Sequence, residues 1–239
     1  MPSVQDAPRT ARERARVEIT GEILATARQH LSRDGAAALS LRAIARDLGM
    51  VSSAVYRYVP NRDALLTMLI IDAYDTVGTQ VEREAAACPR TDYLGRFLAT
   101  CRAVRGWALA NPHEYALIYG SPVPGYAAPA DTIGPASRVP IVLLSILFDQ
   151  TADGAAGPAA PLDAAVAASI APFRGFADGQ ASDDRLVRGL ASWATLLGTV
   201  SLELFGHLHN VVEEDRASRS AFFDHQMRQA AMSLGLADG

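Results

Sequence analysis

Residues 41–62, which read LRAIARDLGMVSSAVYRYVPNR, carry the clearest pattern of apolar and polar positions in the chain. The apolar positions of a first predicted helix are Ile44, Ala45 and Leu48. Gly49 follows them, and glycine readily supplies the left-handed residue that ends a helix. A spacing of four predicts the inward stripe of a second helix, formed by Val51, Val55 and Val59. The stretch therefore indicates two short helices joined by a tight turn.

The outward positions of the second predicted helix hold small or hydrogen-bonding groups: Ser52, Ser53, Ala54, Tyr56 and Arg57. An ordinary solvated face would mix acidic and basic side chains instead. Two helices at a steep angle, the second with a thin polar exterior, form a helix-turn-helix whose second helix fits the major groove of DNA. The spacing alone fits ordinary helix packing as well as DNA binding, because any small helical protein contains helix pairs of this kind.

Flanking features extend this pair to a predicted three-helix DNA-binding domain over residues 17–62. The preceding helix presents one apolar face, formed by Ile19, Ile23, Ala27 and Leu31. Ser40 is a good N-cap for the next helix. The Ser40 hydroxyl, the Leu41 backbone N–H and Arg42 would then stand at a helix N-terminus and clamp a phosphate. Residues 1–16 are predicted to be a disordered basic arm, which either lies along phosphates or is a frayed terminus.

Residues 63–239 are also predicted to be helical, which gives an all-α chain. A helix over residues 62–87 is predicted to be the sole link between the two halves. The helices predicted over residues 183–210 and 214–234 carry more apolar surface than one body can cover. Pairing with a second subunit in a four-helix bundle would cover it, so a homodimer is predicted.

The distribution of charge favours DNA binding by the N-terminal part. The net charge of −4 alone argues against a nucleic-acid partner. Residues 1–62, however, hold ten arginines and six acidic residues, whereas the remaining residues hold twelve arginines and twenty acidic residues. A basic N-terminal part followed by an acidic remainder is typical of a DNA-binding domain joined to a part that does not contact DNA.

Other classes of function find little support. Cys88 and Cys101 lack metal-type spacing and are interpreted as free thiols. His207 and His209 are two positions apart on a helix and do not face each other, which disfavours a metal site. No constellation typical of an enzyme or a cofactor site is present, and no signal peptide is apparent. The apolar run at residues 139–148 is too short to span a bilayer, so a cytoplasmic protein without a membrane partner is expected.

The stretch from Leu41 to Leu66 resembles the DNA-binding domain of the TetR family of bacterial transcriptional regulators. The resemblance rests on IA-R-x-L-G, a small polar pair, and V-Y-x-Y-V-x-N-R-x-A-L-L, and it covers about residues 15–75. The segment NPHEYALIYGSPVPGY, residues 111–126, also resembles a stretch of a subgroup with a common C-terminal domain.

The resemblance implies an all-α fold of about nine to ten helices. It also implies a homodimer whose N-terminal helices read a palindromic double-stranded operator. It also implies a helical C-terminal domain, residues 63–239, that binds a small molecule and thereby lowers DNA affinity. Tyr56 and Tyr58 occupy family positions that contact the DNA backbone. Arg62 stands where the family usually has a phosphate-contacting lysine. Val51 departs from the family, which commonly has Ser or Thr at the start of the recognition helix.

Aromatic residues with a few polar groups are the usual lining of a small-molecule site. The candidates are Trp107, His113, Tyr115, Tyr119, Phe148, Phe173, Trp193 and Glu203. Taken singly, each aromatic is more often an ordinary core residue than part of a ligand site. Glu203 lies amid apolar neighbours and needs a partner, either an arginine across the dimer or a ligand. Such a lining predicts a lipophilic or aromatic effector.

The predicted function is a ligand-responsive repressor of transcription. Two alternatives stay open: a small-molecule or partner-binding protein with a vestigial DNA domain, and an activator of the same fold.

Overall fold

A computed structural model describes residues 10–157 and 160–236, and every regular element within these ranges is helical. The eleven α-helices of the described residues are α1 Ala11–Asp34, α2 Leu41–Asp47, α3 Ser52–Val55, α4 Arg62–Ala86, α5 Tyr93–Ala110, α6 Pro112–Tyr119, α7 Ile133–Ala152, α8 Ala164–Ser169, α9 Ala171–Ala177, α10 Asp183–Leu204 and α11 Arg216–Ser233. The all-α prediction is confirmed, with a helix count slightly above the predicted one.

The sequence pattern over residues 162–178 predicts a single helix, but the structure divides this stretch into α8 and α9, which accounts for the additional helix. α8 ends before Ile170, and α9 begins with Pro172 in its first turn. Proline lacks a backbone N–H, so it suits the first turn of a helix, whereas in a helix interior it removes a hydrogen bond. Gly206 has a left-handed backbone conformation, with φ of +79°, and α10 ends at Leu204 instead of reaching residue 210.

The chain forms two compact units, and three points of the chain lead from one to the other. The N-terminal unit contains the described residues up to Ala73 together with His113–Thr132. The C-terminal unit contains Tyr74–Pro112 and the described residues from Ile133 onward. α4 contributes to both units, but it is not the sole link that the sequence predicts, because the segment His113–Thr132 enters the N-terminal unit as well.

α1 begins earlier than predicted, which corrects the proposed disordered arm for residues 11–16. Thr10 and Glu13 form a reciprocal capping box, in which the Thr10 hydroxyl accepts a hydrogen bond from the Glu13 N–H at 3.2 Å. The Glu13 carboxylate accepts one from the Thr10 N–H at 2.7 Å. The sequence signal was the Thr-x-x-Glu pattern, which marks a helix start. Residues 1–9 of the predicted arm lie outside the described residues.

The core of the N-terminal unit joins α1, α2, α3 and the first half of α4. Its fully buried side chains include Ile23, Ile44, Val55, Val59, Leu65 and Leu66. Leu117, Val123 and Tyr126 of the segment His113–Thr132 pack against this core. The Tyr126 hydroxyl also shares a 2.9 Å hydrogen bond with the hydroxyl of Thr67 on α4.

The C-terminal unit packs α5, α7, α10 and α11 against one another. Within the described residues, one helical stretch, Ala130–Ala152, is long and apolar enough to cross a membrane by length and composition. This is weak support for a membrane span, because the core helix of a soluble protein passes the same test. Its Val139, Ile146 and Leu147 are buried inside the unit.

Candidate nucleic-acid interface

The turn between α2 and α3 has the geometry that the sequence predicts. Gly49 adopts the left-handed conformation with φ of +65°, which ends α2. The Met50 N–H then donates to the Ala45 carbonyl at 2.8 Å. α3 has only four residues, Ser52–Val55, and the Tyr58 N–H continues the winding by donating to the Val55 carbonyl at 2.9 Å. The recognition element is therefore one helical turn followed by tight turns.

Val51 does not belong to the inward stripe predicted for the recognition helix. Val55 and Val59 are fully buried, whereas Val51 is 71% exposed. Val51 is the N-cap of α3 and has extended backbone angles, φ −69° and ψ 139°. A helical spacing of four does not apply to a residue outside the helix, which is why the periodicity failed there. Valine has no side-chain acceptor, and α3 has no side-chain cap.

The polar outer face of the recognition element is partly accessible. Ser53, Tyr56 and Arg57 are exposed, while Ser52 and Ala54 are half-buried.

Tyr58, by contrast, is partly packed inside the N-terminal unit. It is half-buried against the core, and the Arg16 guanidinium lies 5.8 Å from its ring centroid. Its remaining exposed edge is what the predicted DNA contact would use.

The N-terminus of α2 carries the predicted cap. The Ser40 hydroxyl accepts the Ala43 N–H at 3.4 Å, so Ser40 is the N-cap of α2. The Leu41 side chain is buried in the core, which leaves only its backbone N–H for a phosphate. Arg42 is exposed.

Arg62 has an intramolecular role that the sequence did not indicate. Its guanidinium donates from Nη2 to the carbonyl of Ala36 at 3.0 Å and to that of Ala37 at 3.3 Å. These carbonyls belong to the turn between α1 and α2, so Arg62 ties the start of α4 to the turn that precedes Ser40. A phosphate contact by Arg62 would use its remaining donors.

Three polar contacts within the N-terminal unit have no signal in the sequence. The buried His30 imidazole of α1 lies 2.7 Å from the Asp47 carboxylate of α2 and lowers the pKa of Asp47 mainly through this hydrogen bond. Arg28 of α1 pairs with Asp72 of α4 and lies 3.9 Å from the Glu114 carboxylate of α6. The partners are far apart along the chain, so no local pattern signals them.

The structure divides the predicted ligand-binding residues between the two units. His113, Tyr115 and Tyr119 belong to the N-terminal unit, where His113 is exposed. The ring of the buried Tyr115 lies 5.2 Å from that of Tyr119, centroid to centroid, with the two planes tilted by 53°. In the C-terminal unit, Trp107 is buried and its indole N–H donates to the Thr76 hydroxyl at 3.2 Å.

Phe173 and Trp193 of the predicted set do come together. They line a cleft of about 240 Å³ in the C-terminal unit with Pro140, Leu143, Leu144, Leu147, Gly189 and Leu190. The lining is aliphatic and aromatic throughout. Phe148 is not among the lining residues, but it packs against Leu144 and its buried neighbours. α7, α9 and α10 therefore form an apolar recess, which two of the eight predicted residues reach.

Glu203 has its partner within the same chain. The Arg105 guanidinium donates to both Glu203 carboxylate oxygens, at 2.6 and 2.7 Å, and both side chains are largely buried. Arg105 also lies 5.2 Å from the centroid of the Phe223 ring. A planar guanidinium suits such a two-pronged contact. This pairing accounts for the acid amid apolar neighbours without a ligand.

Within residues 10–157 and 160–236, no group of three or more metal-ligating side chains gathers. His209 pairs with Glu214 instead. Cys88 and Cys101 are free, and burial raises the pKa of the Cys101 thiol far above its usual range. A thiol held in its neutral form is a poor nucleophile.

Comparison with known proteins decides the family. The model of the bacterial regulatory proteins, tetR family, matches residues 23–69, which include α2, the turn and α3. The model of the tetracyclin repressor-like C-terminal domain matches residues 97–230, more than half of the chain. The chain belongs to the TetR family of transcriptional regulators. TetR-family proteins are regulators and not enzymes, as the sequence predicts.

Individual relatives agree with the TetR assignment. The HTH-type transcriptional regulators Rv1816 of Mycobacterium tuberculosis and Mb1846 of Mycobacterium bovis are each 44% identical to this chain over 205 residues. The match covers 82% of this chain and 84% of either relative. Among solved structures, the regulatory protein SCO4313 is 35% identical with a TM-score of 0.74, covering 92% of this chain and 98% of its own. This TetR regulator therefore shares its family and its fold with these proteins over most of its length.

Proposed function

We propose that this TetR-family regulator is a repressor that binds a palindromic operator as a homodimer and releases it when a compact lipophilic molecule binds. The observation that carries the ligand response is the apolar cleft between α7, α9 and α10. Its volume of about 240 Å³ lies just below the usual range for ligand pockets, about 300–1,000 Å³. A small uncharged ligand with an aromatic or branched aliphatic body suits this lining.

DNA binding is assigned to the N-terminal unit. Ser53, Tyr56 and Arg57 would face the major groove and its edges, with Ser52 and Ala54 at the rim. Ser40, the Leu41 N–H, Arg42, Tyr58 and the free donors of Arg62 would contact the backbone. Phosphate contacts position the protein, whereas base contacts supply specificity. Action on DNA places this regulator in the cytoplasm of a bacterial cell.

Gly189 offers a direct test of the ligand site. A Cβ at Gly189 would lie 3.2 Å from the Leu147 Cδ1, and a longer side chain would fill the cleft that both residues line. Gly189→Leu should therefore keep operator affinity but abolish operator release by any ligand that releases the parent. Fluorescence anisotropy of a labelled operator duplex, with ligands from a library of small aromatic compounds, measures both quantities.

Gly134→Leu is the matched control, because Gly134 lies in the same helix α7 as much of the cleft lining and a Cβ there meets nothing within 4 Å. It should respond to ligand as the parent does. If Gly189→Leu stayed fully responsive, the effector would bind elsewhere.

The segment His113–Thr132 gives the ligand signal a second route besides α4. This segment leaves the N-terminal unit directly into α7, the helix that supplies Pro140, Leu143 and Leu147 to the cleft. Within the N-terminal unit it is held by apolar packing, by the Tyr126–Thr67 hydrogen bond and by the Arg28–Glu114 contact. A displacement of α7 would therefore also shift the residues of this segment that contact α1 and α4.

Glu114→Gln tests this route, because it removes the charge that Arg28 faces while keeping side-chain size. Ligand affinity should be unchanged. The ligand-induced loss of operator affinity should shrink by about 0.5–2 kcal/mol, the range for residues that modulate coupling. Isothermal titration gives the ligand affinity, and anisotropy gives the operator affinity with and without ligand. Glu22→Gln, at an exposed position of α1, should leave both unchanged; equal coupling in the two variants would contradict the route.

The dimer is proposed to form through α10 and α11. Exposed large apolar side chains on or next to these helices include Leu190, Leu202, Phe205, Val211 and Met232. A four-helix bundle made by the pair from each subunit would cover them.

A mobility-shift assay with DNA from upstream of the chain's own coding region tests the proposed function as a whole. Specific retention that a scrambled duplex does not compete away supports it. A vestigial DNA domain would give equal, weak retention of both duplexes, and the repressor proposal would fail.

A further inference from the structure

Val51 is the most exposed large apolar side chain among the described residues of the N-terminal unit. It lies immediately before α3, on the element that places Ser53 and Arg57 toward solvent. It packs into no part of the core and provides no cap. Its own helix gains nothing from valine at a position where Ser, Thr, Asp or Asn would stabilise it.

The chemistry of the major groove offers one partner for such a side chain. Hydrogen-bond donors and acceptors line the base edges, and the thymine C5-methyl is the apolar group among them. Residues at the N-terminal end of a recognition helix are those that reach base edges. Valine also has a strongly restricted χ1 angle, so it presents its methyl groups with little loss of side-chain entropy.

We propose that Val51 contacts the C5-methyl group of one thymine in each operator half-site and thereby selects a T·A pair at that position. The inference rests on the proposed operator binding and adds one specific base preference to it. Arg57 would read hydrogen-bonding groups nearby, while Val51 reads the methyl group.

Replacement of thymine by deoxyuridine is the sharpest test, because it removes only the methyl group. With the full-length protein, each thymine of the operator is replaced in turn, symmetrically in both half-sites. One position should weaken binding by about fourfold for each half-site, the worth of one buried methyl group. Anisotropy titrations of parent and variant proteins against the thymine and deoxyuridine duplexes give the ratios.

Val51→Ser separates base reading from helix stability. Serine removes the methyl groups but provides the missing cap. This variant should bind the thymine and deoxyuridine duplexes equally at the sensitive position. Val17→Ser, the same change at an exposed valine of α1, should retain the full discrimination.

Two results overturn the proposal. Either no thymine position is sensitive in the parent, or Val51→Ser discriminates thymine from deoxyuridine as strongly as the parent does. If the parent binds no duplex specifically, the proposed function itself fails, which is a distinct outcome.

Discussion

Arg57→Ala should weaken operator binding by about 1–3 kcal/mol, or about 5- to 150-fold, and relax sequence preference. Arg57 is exposed on the outer face of the recognition element, between the buried Val55 and Val59 that fix the backbone beneath it. A guanidinium there can make a two-pronged contact with guanine. Affinities for the operator and for duplexes with single base changes measure both effects.

Two other arginines serve as comparisons for Arg57. Arg83→Ala removes the same charge from an exposed position near the end of α4 in the C-terminal unit and should change operator affinity little. Arg62→Ala should weaken binding to all sequences similarly and flatten the dependence of log affinity on log salt by about one unit. If Arg57→Ala behaved like Arg83→Ala, Arg57 would not face the bases.

Leu202→Arg should convert the dimer to a monomer and reduce operator affinity by about 10²- to 10⁴-fold, the usual gain from linking two binding modules. Leu202 lies on α10 and is 45% exposed, so a charge there costs little in the isolated subunit. The same charge inside a four-helix bundle would be desolvated without a partner. Sedimentation velocity gives the oligomeric state, and anisotropy gives the affinity.

Leu109→Arg is the matched control for Leu202→Arg, because Leu109 on α5 has the same 45% exposure. It should remain dimeric and bind operator normally. A parent protein that sediments as a monomer at micromolar concentration would contradict the dimer proposal outright.

Local features of the fold were predictable because they depend on few residues close in sequence. Ser40 caps α2 as predicted, and Gly49 adopts the left-handed conformation expected of it. Asp92 caps α5 in the same way. Asn61 accepts the Ala64 N–H at 2.8 Å at the predicted start of α4. Backbone caps and turns leave a signature of this kind in any helical sequence.

Tertiary placement was not predictable from the same patterns. Arg62 finds its partners 25 and 26 residues away, at the carbonyls of Ala37 and Ala36. Residues 113–132 join the N-terminal unit although they lie in the middle of the chain. The residue type alone does not distinguish a core aromatic such as Trp107 from a cleft aromatic such as Trp193. The residues predicted to line one pocket therefore lie in different parts of the structure.

Val51 shows how a periodic pattern fails at a helix boundary. A spacing of four holds only where the backbone is helical, and the extended backbone of Val51 turns its side chain to solvent. The family's usual Ser or Thr would have marked this position as a cap. Its replacement by valine removes that signal and creates the exposed apolar group from which thymine recognition is inferred.

Selection of bound duplexes from a random DNA pool by the full-length protein tests whether the regulator recognises a palindromic operator. We expect enrichment of an inverted repeat whose half-sites lie about one helical turn apart, with a specific affinity at least about 10³ times the non-specific one. Recovery of a pool with no enriched sequence, bound equally well by parent and Arg57→Ala, would contradict it.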